Sequence, residues 1–212
     1  MDTPIFEFKN VKFHEILSIR HMNIEKEKTT CLVGPSGVGK TTLLRLLNKL
    51  ISPTQGEIFY RGQSLQQFSS VELRKQVVLL SQQPVMFDST IRDNLIIGCQ
   101  FAKKEIPNEE QLLAMMQELS LSKKLDDDAH KCSIGEKQRI ALGRVLLLNA
   151  DVYLMDEPSS ALDQETEQLI MDVIVKYTKK LGHTLIMVTH SSKVAQTYGD
   201  EIIKISKEIY HG

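Results

Sequence analysis

Long hydrophobic runs are missing from this chain. No stretch approaches the ~18 uninterrupted apolar residues of a membrane-crossing helix, although 42% of the 212 residues are apolar. The first residues, MDTPIFEFKN, begin acidic and hold no apolar core of signal-peptide length, so export by that route is not expected. Cysteine is scarce: Cys31, Cys99 and Cys132 are the three in the chain, odd in number and far apart. None stands in a CxxC or Cys/His pattern with metal-ligand spacing, which excludes a disulfide-stapled miniprotein and points to reduced, cytosolic thiols. An excess of either charge is also lacking, with 26 Lys and Arg against 27 Asp and Glu. That balance supplies no global basic field for a nucleic-acid backbone, so no nucleic acid is expected as a partner. A charged share of 25% argues against disorder, and the sequence shows neither an internal repeat nor a low-complexity linker.

What is present is an alternation of strands and helices, on a chain long enough for one large domain or a core with a sizeable insertion. IFEF near Ile5 comes first, then TTCLV from Thr29 to Val33. A glycine-rich turn follows, and behind it Leu43, Leu46, Leu47 and Leu50 recur at the spacing of one amphipathic helix stripe. SPTQGE, from Ser52 to Glu57, offers turn chemistry before the strand-like EIFYR, and VVLL from Val77 to Leu80 is a further apolar strand. From about Pro84 to Arg144 helical patterns take over, with QLLAMMQEL and an acidic turn, DDDAH, from Asp126 to His130. The chain then returns to VYLM, a helix around Glu165 to Leu181, the strand TLIMV from Thr184 to Val188, and a last strand near Glu201 to Ile205. Strands separated by helices predict an α/β fold with a mainly parallel sheet covered on both faces.

Two motifs within this order carry chemistry. GPSGVGKT, from Gly34 to Thr41, fits the phosphate-loop pattern GxxxxGK[ST] and lies between a predicted strand and a predicted helix, as that motif requires. Gly34, Gly37 and Gly39 permit positive φ and close approach, so that N–H groups of the loop completed by Pro35, Ser36 and Val38 can converge on phosphate oxygens. The following helix adds its amino-terminal dipole. Lys40 would reach the β- and γ-phosphates, the Thr41 hydroxyl would be a ligand of Mg2+, and Thr42 would support the helix start. A chance match in a glycine turn is the competing reading, and the flanking elements argue against it. The second motif is VYLMDE, an apolar strand ending in Asp156 and Glu157. It predicts two carboxylates at the carboxyl edge of the sheet, where α/β ligands bind, with Asp156 suited to hold the metal through water and Glu157 to polarise an attacking water.

With these motifs the chain resembles the ATP-binding subunits of ABC transporters over essentially its whole length. The resemblance rests on Gly34 to Thr41, on SQQPVMF around Gln82, on CSIGEKQRIALGR from Cys132, on LMDEPSSALD from Leu154 and on IMVTHS around His190, all in the family's order. It implies a P-loop NTPase core with a mixed, mainly parallel sheet, a small antiparallel β region and an inserted α-helical subdomain. Residues 1–83 and 145–212 would form the ATPase core and 84–144 the helical insertion. It implies that Gln82 senses metal and γ-phosphate, with Gln83 beside it leaving the register open. Ser133 and Gly135 would contact the nucleotide of an opposite subunit, His190 would contact the γ-phosphate, and Asp163 would couple the two sites. The cofactors implied are ATP and Mg2+, and the partners a second ATP-binding subunit, most simply a homodimer, and an integral membrane transporter subunit. The location implied is cytoplasmic, peripheral on the inner face of the cell membrane.

The sequence departs from the family at the signature loop, where CSIGE stands for LSGGQ. Ile134 replaces a glycine and adopts positive φ less cheaply, so a loop needing that conformation would be reshaped. The aromatic residue expected to stack on adenine is also displaced, because VKFHEILSI is short; Phe13 is the candidate, and a core phenylalanine is an equally good reading of it. Short length and the run PVMFDSTIRDNL resemble small bacterial efflux-type subunits, including those of iron or metal export. The alternatives are a soluble ABC ATPase serving cofactor assembly and a low-activity member of a heteromeric pair. An inert binding module is disfavoured, since Lys40, Glu157 and His190 are all kept.

Overall fold

The computed structural model describes residues 3–83, 85–160, 162–206 and 208–209. The chain begins with a hairpin, β1 (Phe6–Phe13) and β2 (Leu17–Ile24), then β3 (Thr29–Val33) and α1 (Lys40–Leu47). β4 (Gln55–Tyr60), β5 (Gln63–Ser64), α2 (Ser70–Gln76) and β6 (Val77–Leu80) follow. Three helices come next, α3 (Ile91–Ala102), α4 (Glu109–Glu118) and α5 (Ile134–Leu146). The remainder is β7 (Val152–Asp156), α6 (Gln164–Lys180), β8 (Thr184–Val188), α7 (Ser192–Tyr198), β9 (Glu201–Lys204) and β10 (Glu208–Ile209). The architecture is α/β, as the alternation predicts.

The strands form two five-stranded sheets. One has the order β6-β7-β8-β3-β9 with every pairing parallel. The other has the order β10-β2-β1-β4-β5, antiparallel except for the β10–β2 pair. β7 and β8 are buried along their whole length. Tyr153, Met155, Leu185 and Met187 face a core shared with α3 to α6, while Val152, Leu154, Ile186 and Val188 face a core shared with α1 and the antiparallel sheet. Coverage on both faces explains why these strands read as continuous apolar runs instead of alternating ones. In β2, by contrast, the buried Leu17, Ile19, Met22 and Ile24 alternate with polar residues, as befits a sheet with one wet face.

Several features differ from the sequence reading, α2 and β10 among them, neither of which the patterns predict. The stripe on α1 is Leu43, Leu44, Leu46 and Leu47; the helix ends there, Lys49 turns into the left-handed region at φ 55°, and Leu50 is 48% exposed. β2 has no counterpart in the predicted elements, since the charged and polar half of LSIRHMNI masks its alternation. The short α7 is likewise unanticipated; it starts where the Ser191 hydroxyl accepts from the Val194 amide. In the helical stretch, Arg144 on α5 donates to the Asn94 backbone oxygen on α3 at 2.7 Å, to Asn94 Oδ1 at 2.8 Å and to the Val85 carbonyl at 2.9 Å. Burial pushes this guanidinium down to about 10. Pro84, the expected start of that stretch, lies outside the described residues, and α5 continues to Leu146.

Candidate active site

The parallel strand order fixes where the motifs meet. β3, β8, β7 and β6 are successive neighbours and point the same way, so the segments that follow them emerge side by side at one edge of the sheet. Those segments are the glycine loop after Val33, Thr189 and His190 after β8, Glu157 after β7, and Ser81 and Gln82 after β6.

Gly34 lies so close to the neighbouring chain that a Cβ would stand 2.4 Å from the Ile205 carbonyl oxygen. Gly37 and Gly39 adopt φ of 79° and 97°, a region that glycine enters without penalty. Gly39 is the N-cap of α1 and supplies no side-chain cap, so first-turn amides are left to a ligand, with the helix dipole behind them. Ser36 and Val38 complete the loop, with Val38 packed against the neighbouring core. Lys40 is buried, and its Nζ donates to the Gly34 and Pro35 carbonyls, each at 2.8 Å. Its pKa sits below the ordinary lysine value because of burial, offset by the carboxylates of Glu157 and Asp156. Thr41 hydrogen-bonds the Asp156 side chain, and Thr42 lies beside it in the first turn of α1. Burial pushes the Asp156 carboxyl above the usual range, with the Thr41 bond acting against that rise.

Glu157 is bracketed. Gln82 Nε2 donates to one carboxylate oxygen at 3.0 Å, and His190 Nε2 lies 3.0 Å from the other. The adjacent Gln83 contributes its backbone carbonyl to Ser81 Oγ, so Gln82 is the residue that faces Glu157. The Glu157 backbone is left-handed at φ 52°, its amide bonded to the Val188 carbonyl at 3.1 Å. A non-glycine residue there costs ~1–3 kcal/mol that surrounding contacts must offset. One of those contacts comes from Gln138 on α5, whose Nε2 donates to the Pro158 carbonyl at 2.9 Å and the Glu157 carbonyl at 3.4 Å. The sequence reading does not single out Gln138; its only signal there is a polar residue on a helix that otherwise buries apolar ones.

Other predicted residues stand apart from this cluster. Ser133 caps α5: its Oγ accepts from the Glu136 amide at 3.2 Å while Glu136 Oε2 accepts from the Ser133 amide at 2.8 Å, a reciprocal capping box. Ile134 is the first residue of the helix and is absent from the positive-φ positions, so the conformational objection to isoleucine there falls away. Its side chain is 78% exposed. Gly135 has room for a Cβ at ordinary contact distance, 3.4 Å from Leu162. Asp163 caps α6, accepting from the Thr166 amide at 3.0 Å and the Thr166 hydroxyl at 2.8 Å, and the amide bond foremost holds its carboxyl below the usual range. Phe13 packs against the core of the antiparallel sheet, edge-on to His14. The side chain that stands against the glycine loop is Ile16, whose Cγ2 would lie 3.2 Å from a Cβ at Gly39.

The donors around Thr41 and Asp156 are hard oxygens, the kind that suits Mg2+ completed by phosphate oxygens and water. Among the described residues there is no group of three or more His, Cys, Asp and Glu that could hold a metal ion. A cleft of about 410 Å3 opens beside this edge, lined by Leu50, Leu79, Ser81, Val85 and Arg144. A larger cavity of about 770 Å3 runs along α6 past Leu169 and Tyr177 and includes none of these groups. No helix among the described residues is long and apolar enough to cross a membrane.

Comparison with known proteins agrees with this geometry. A family model described as ABC transporter matches residues 17–160. The chain is 37% identical over 182 residues to ABC transporter I family member 17 of Arabidopsis thaliana, covering 84% of this chain and 68% of that protein. It is 32% identical over 210 residues to the methionine import ATP-binding protein of Haemophilus influenzae, covering 97% of this chain and 61% of that protein. Among solved structures, a bacterial Atm1-family ABC exporter with ATP bound matches with a TM-score of 0.86 at 28% identity, over 96% of this chain and 37% of that one. A dimeric ATP-binding cassette in a post-hydrolysis state, bound to ADP and Pi, matches with a TM-score of 0.82 at 27% identity, over 95% and 94%. The chain thus spans from 13% to 94% of the length of the proteins it matches.

Proposed function

The chain belongs to the ABC transporter family, as an ABC-type ATPase domain, and from that premise we propose that it drives transport through a separate membrane subunit by ATP-dependent closure of a dimer. The observation that carries the reading is Glu157, held at both carboxylate oxygens by Gln82 and His190 at the same sheet edge as the glycine loop.

In this reading the loop Gly34–Gly39 and the first turn of α1, including Thr42, bind the phosphates of ATP, and Lys40 leaves the loop carbonyls for the β- and γ-phosphates. Thr41 and Asp156, with Gln82, would hold Mg2+, which supplies charge neutralisation on the phosphate oxygens when bound. Gln82 or His190 must release one oxygen of Glu157 before a water can approach it. Glu157 then accepts a proton from that water as its oxygen bonds to the γ-phosphorus, and the bond from γ-phosphorus to the bridging oxygen breaks, giving ADP and phosphate. His190 donates to the γ-phosphate, and the buried donors stabilise charge that develops on it. Phe13 and Ile16, at the β1–β2 turn, would meet the adenine.

Ser133 and Gly135 of one subunit would face the nucleotide of the other, and Asp163 would couple the two sites. Residues 1–83 and 145–212 form the ATPase core in this account, and 84–144 a helical subdomain. The cleft beside Gln82 would receive the membrane subunit, which gives the chain a peripheral position on the inner face of the cell membrane. Of the finer assignment, an efflux-type subunit of the iron- or metal-export kind, the outward direction alone has the Atm1-family exporter in its favour and a methionine importer against it. Glu157→Gln should retain ATP binding, trap a dimer visible by size exclusion, and lose steady-state hydrolysis by about 100-fold or more, as loss of a general base does; unchanged hydrolysis would sink the assignment.

A further inference from the structure

We propose that Gln138 is a positioning residue for hydrolysis, fixing the turn that presents Glu157; the inference rests on the reading of Glu157 as general base. Gln138 lies on α5 and is 4% exposed. Its Nε2 reaches across to β7's carboxyl end, where it donates to the Pro158 carbonyl at 2.9 Å and to the Glu157 carbonyl at 3.4 Å. Its Oε1 is buried without a partner. A glutamine kept in the core at the cost of an orphaned acceptor is held there by what its donor does.

Its donor acts on the backbone of the residue whose geometry matters most. Glu157 sits in the left-handed region at φ 52°. A non-glycine residue stays there only while neighbouring groups over-determine it. From one side its amide is tied to the Val188 carbonyl. On the other, the Glu157 carbonyl accepts from the Ser160 amide at 3.2 Å within its own turn. Ser159, two residues on, donates its hydroxyl to Glu167 on α6 at 2.8 Å, and Gln138 ties the Glu157 and Pro158 carbonyls themselves to α5. Without it the Glu157–Pro158 segment can relax toward an ordinary φ, and the carboxylate swings away from Gln82 and His190.

The same contact has a second consequence. α5 begins at the Ser133 cap, so Gln138 lies little more than one helical turn from the segment Ser133–Gly135. Displacement of that helix end reaches the Glu157 turn through one side chain. Each subunit's general base is thereby linked to the loop it offers its partner.

The test is Gln138→Met, which fills a similar volume and has no N–H to donate. The expected result is a fall in kcat for ATP hydrolysis of about 10- to 100-fold, the scale of a slightly misplaced catalytic group. KM for ATP, binding of a fluorescent ATP analogue and the thermal midpoint should stay near those of the unsubstituted chain. A kcat within about twofold of the parent overturns the proposal, as does a loss of nucleotide affinity and thermal midpoint in step with kcat, which marks a merely structural role. Should the methionine variant fail to fold, Gln138→Asn, which withdraws the donor by one methylene, takes its place with the same outcomes. Glu157→Gln is measured alongside: full activity in that variant removes the general-base reading itself. An inactive Glu157→Gln beside a fully active Gln138→Met removes only the positioning role.

Discussion

Gly34 sets the tightest tolerance of any residue in the phosphate loop. A Cβ at that position would stand 2.4 Å from the Ile205 carbonyl oxygen, just past β9, where the Ile205 amide is itself bonded to the Val33 carbonyl. Gly34→Ala should lower stability by ~1–3 kcal/mol, the usual range for forced overpacking. It should also abolish the rise in thermal midpoint that ATP gives the parent chain, both read from melting curves with and without nucleotide. The glycines of this loop are legible in the sequence because a motif fixes them. Ile134 shows the opposite case. Substitution for a glycine suggests a backbone penalty, and the structure shows a first helical position where any L-residue fits. Glu157 carries the positive φ instead, and nothing in LMDEPSS announces it. Phe13 belongs with these: an aromatic in a short turn fits both a stacking platform and a core residue, and its packing against the antiparallel sheet is a property of neighbours distant in sequence.

At the scale of elements, the helix starts separate into two kinds. α3 to α7 each begin with a side chain that accepts from a first-turn amide, from Thr90, Asn108, Ser133, Asp163 and Ser191. α1 and α2 begin without such a bond, at Gly39 and Ser69, and at α1, behind the glycine loop, the unsatisfied amides are those the proposed reading gives to the phosphates. Capping residues are readable in sequence once a helix is expected, since serine, aspartate and glutamate recur at fixed offsets. Ser133→Ala should cost about 1 kcal/mol of stability, measured by urea unfolding at neutral pH. The same box gives a pH dependence. The Ser133 amide bond, foremost, holds the Glu136 carboxyl below its ordinary range. Between the unfolded and folded values the unfolded chain holds the proton and the native one does not, so stability rises with pH there. The contribution is present above the ordinary glutamate range and is lost as pH falls through the depressed value. Urea midpoints taken from neutral pH downward should therefore show a gap between the parent and Glu136→Ala that narrows at acid pH, and a constant gap would rule this linkage out.

At the scale of the molecule, the site owes its existence to strand order. Gln82, Glu157, His190 and the glycine loop are separated by long stretches of chain, and the sheet order β6-β7-β8-β3 sets them in one row. Ser133 and Asp163 bond only within their own helix starts among the described residues, so a single subunit does not gather all the motif residues around one phosphate. The two-subunit reading therefore predicts that ATPase activity of the isolated chain rises with the square of its concentration when dilute. A steady-state assay over a hundredfold dilution series checks it, and a strictly linear dependence would count against the homodimer. The α/β alternation, the parallel sheet and the phosphate loop are all visible beforehand. β2 and α7 are not, because a strand with a polar-rich face and a two-turn helix leave too little periodicity to detect.

The sequence by itself determined the apolar strands, the glycine loop and the residue types that could handle a phosphate, because each is a local pattern set by side-chain chemistry and a short backbone period. Only the tertiary structure decided that Gln82 and His190 close on Glu157, that Gln138 braces its turn, and that Lys40 rests on the loop carbonyls. Those are contacts between segments far apart in the chain, and their partners are chosen by the order in which parallel strands pack.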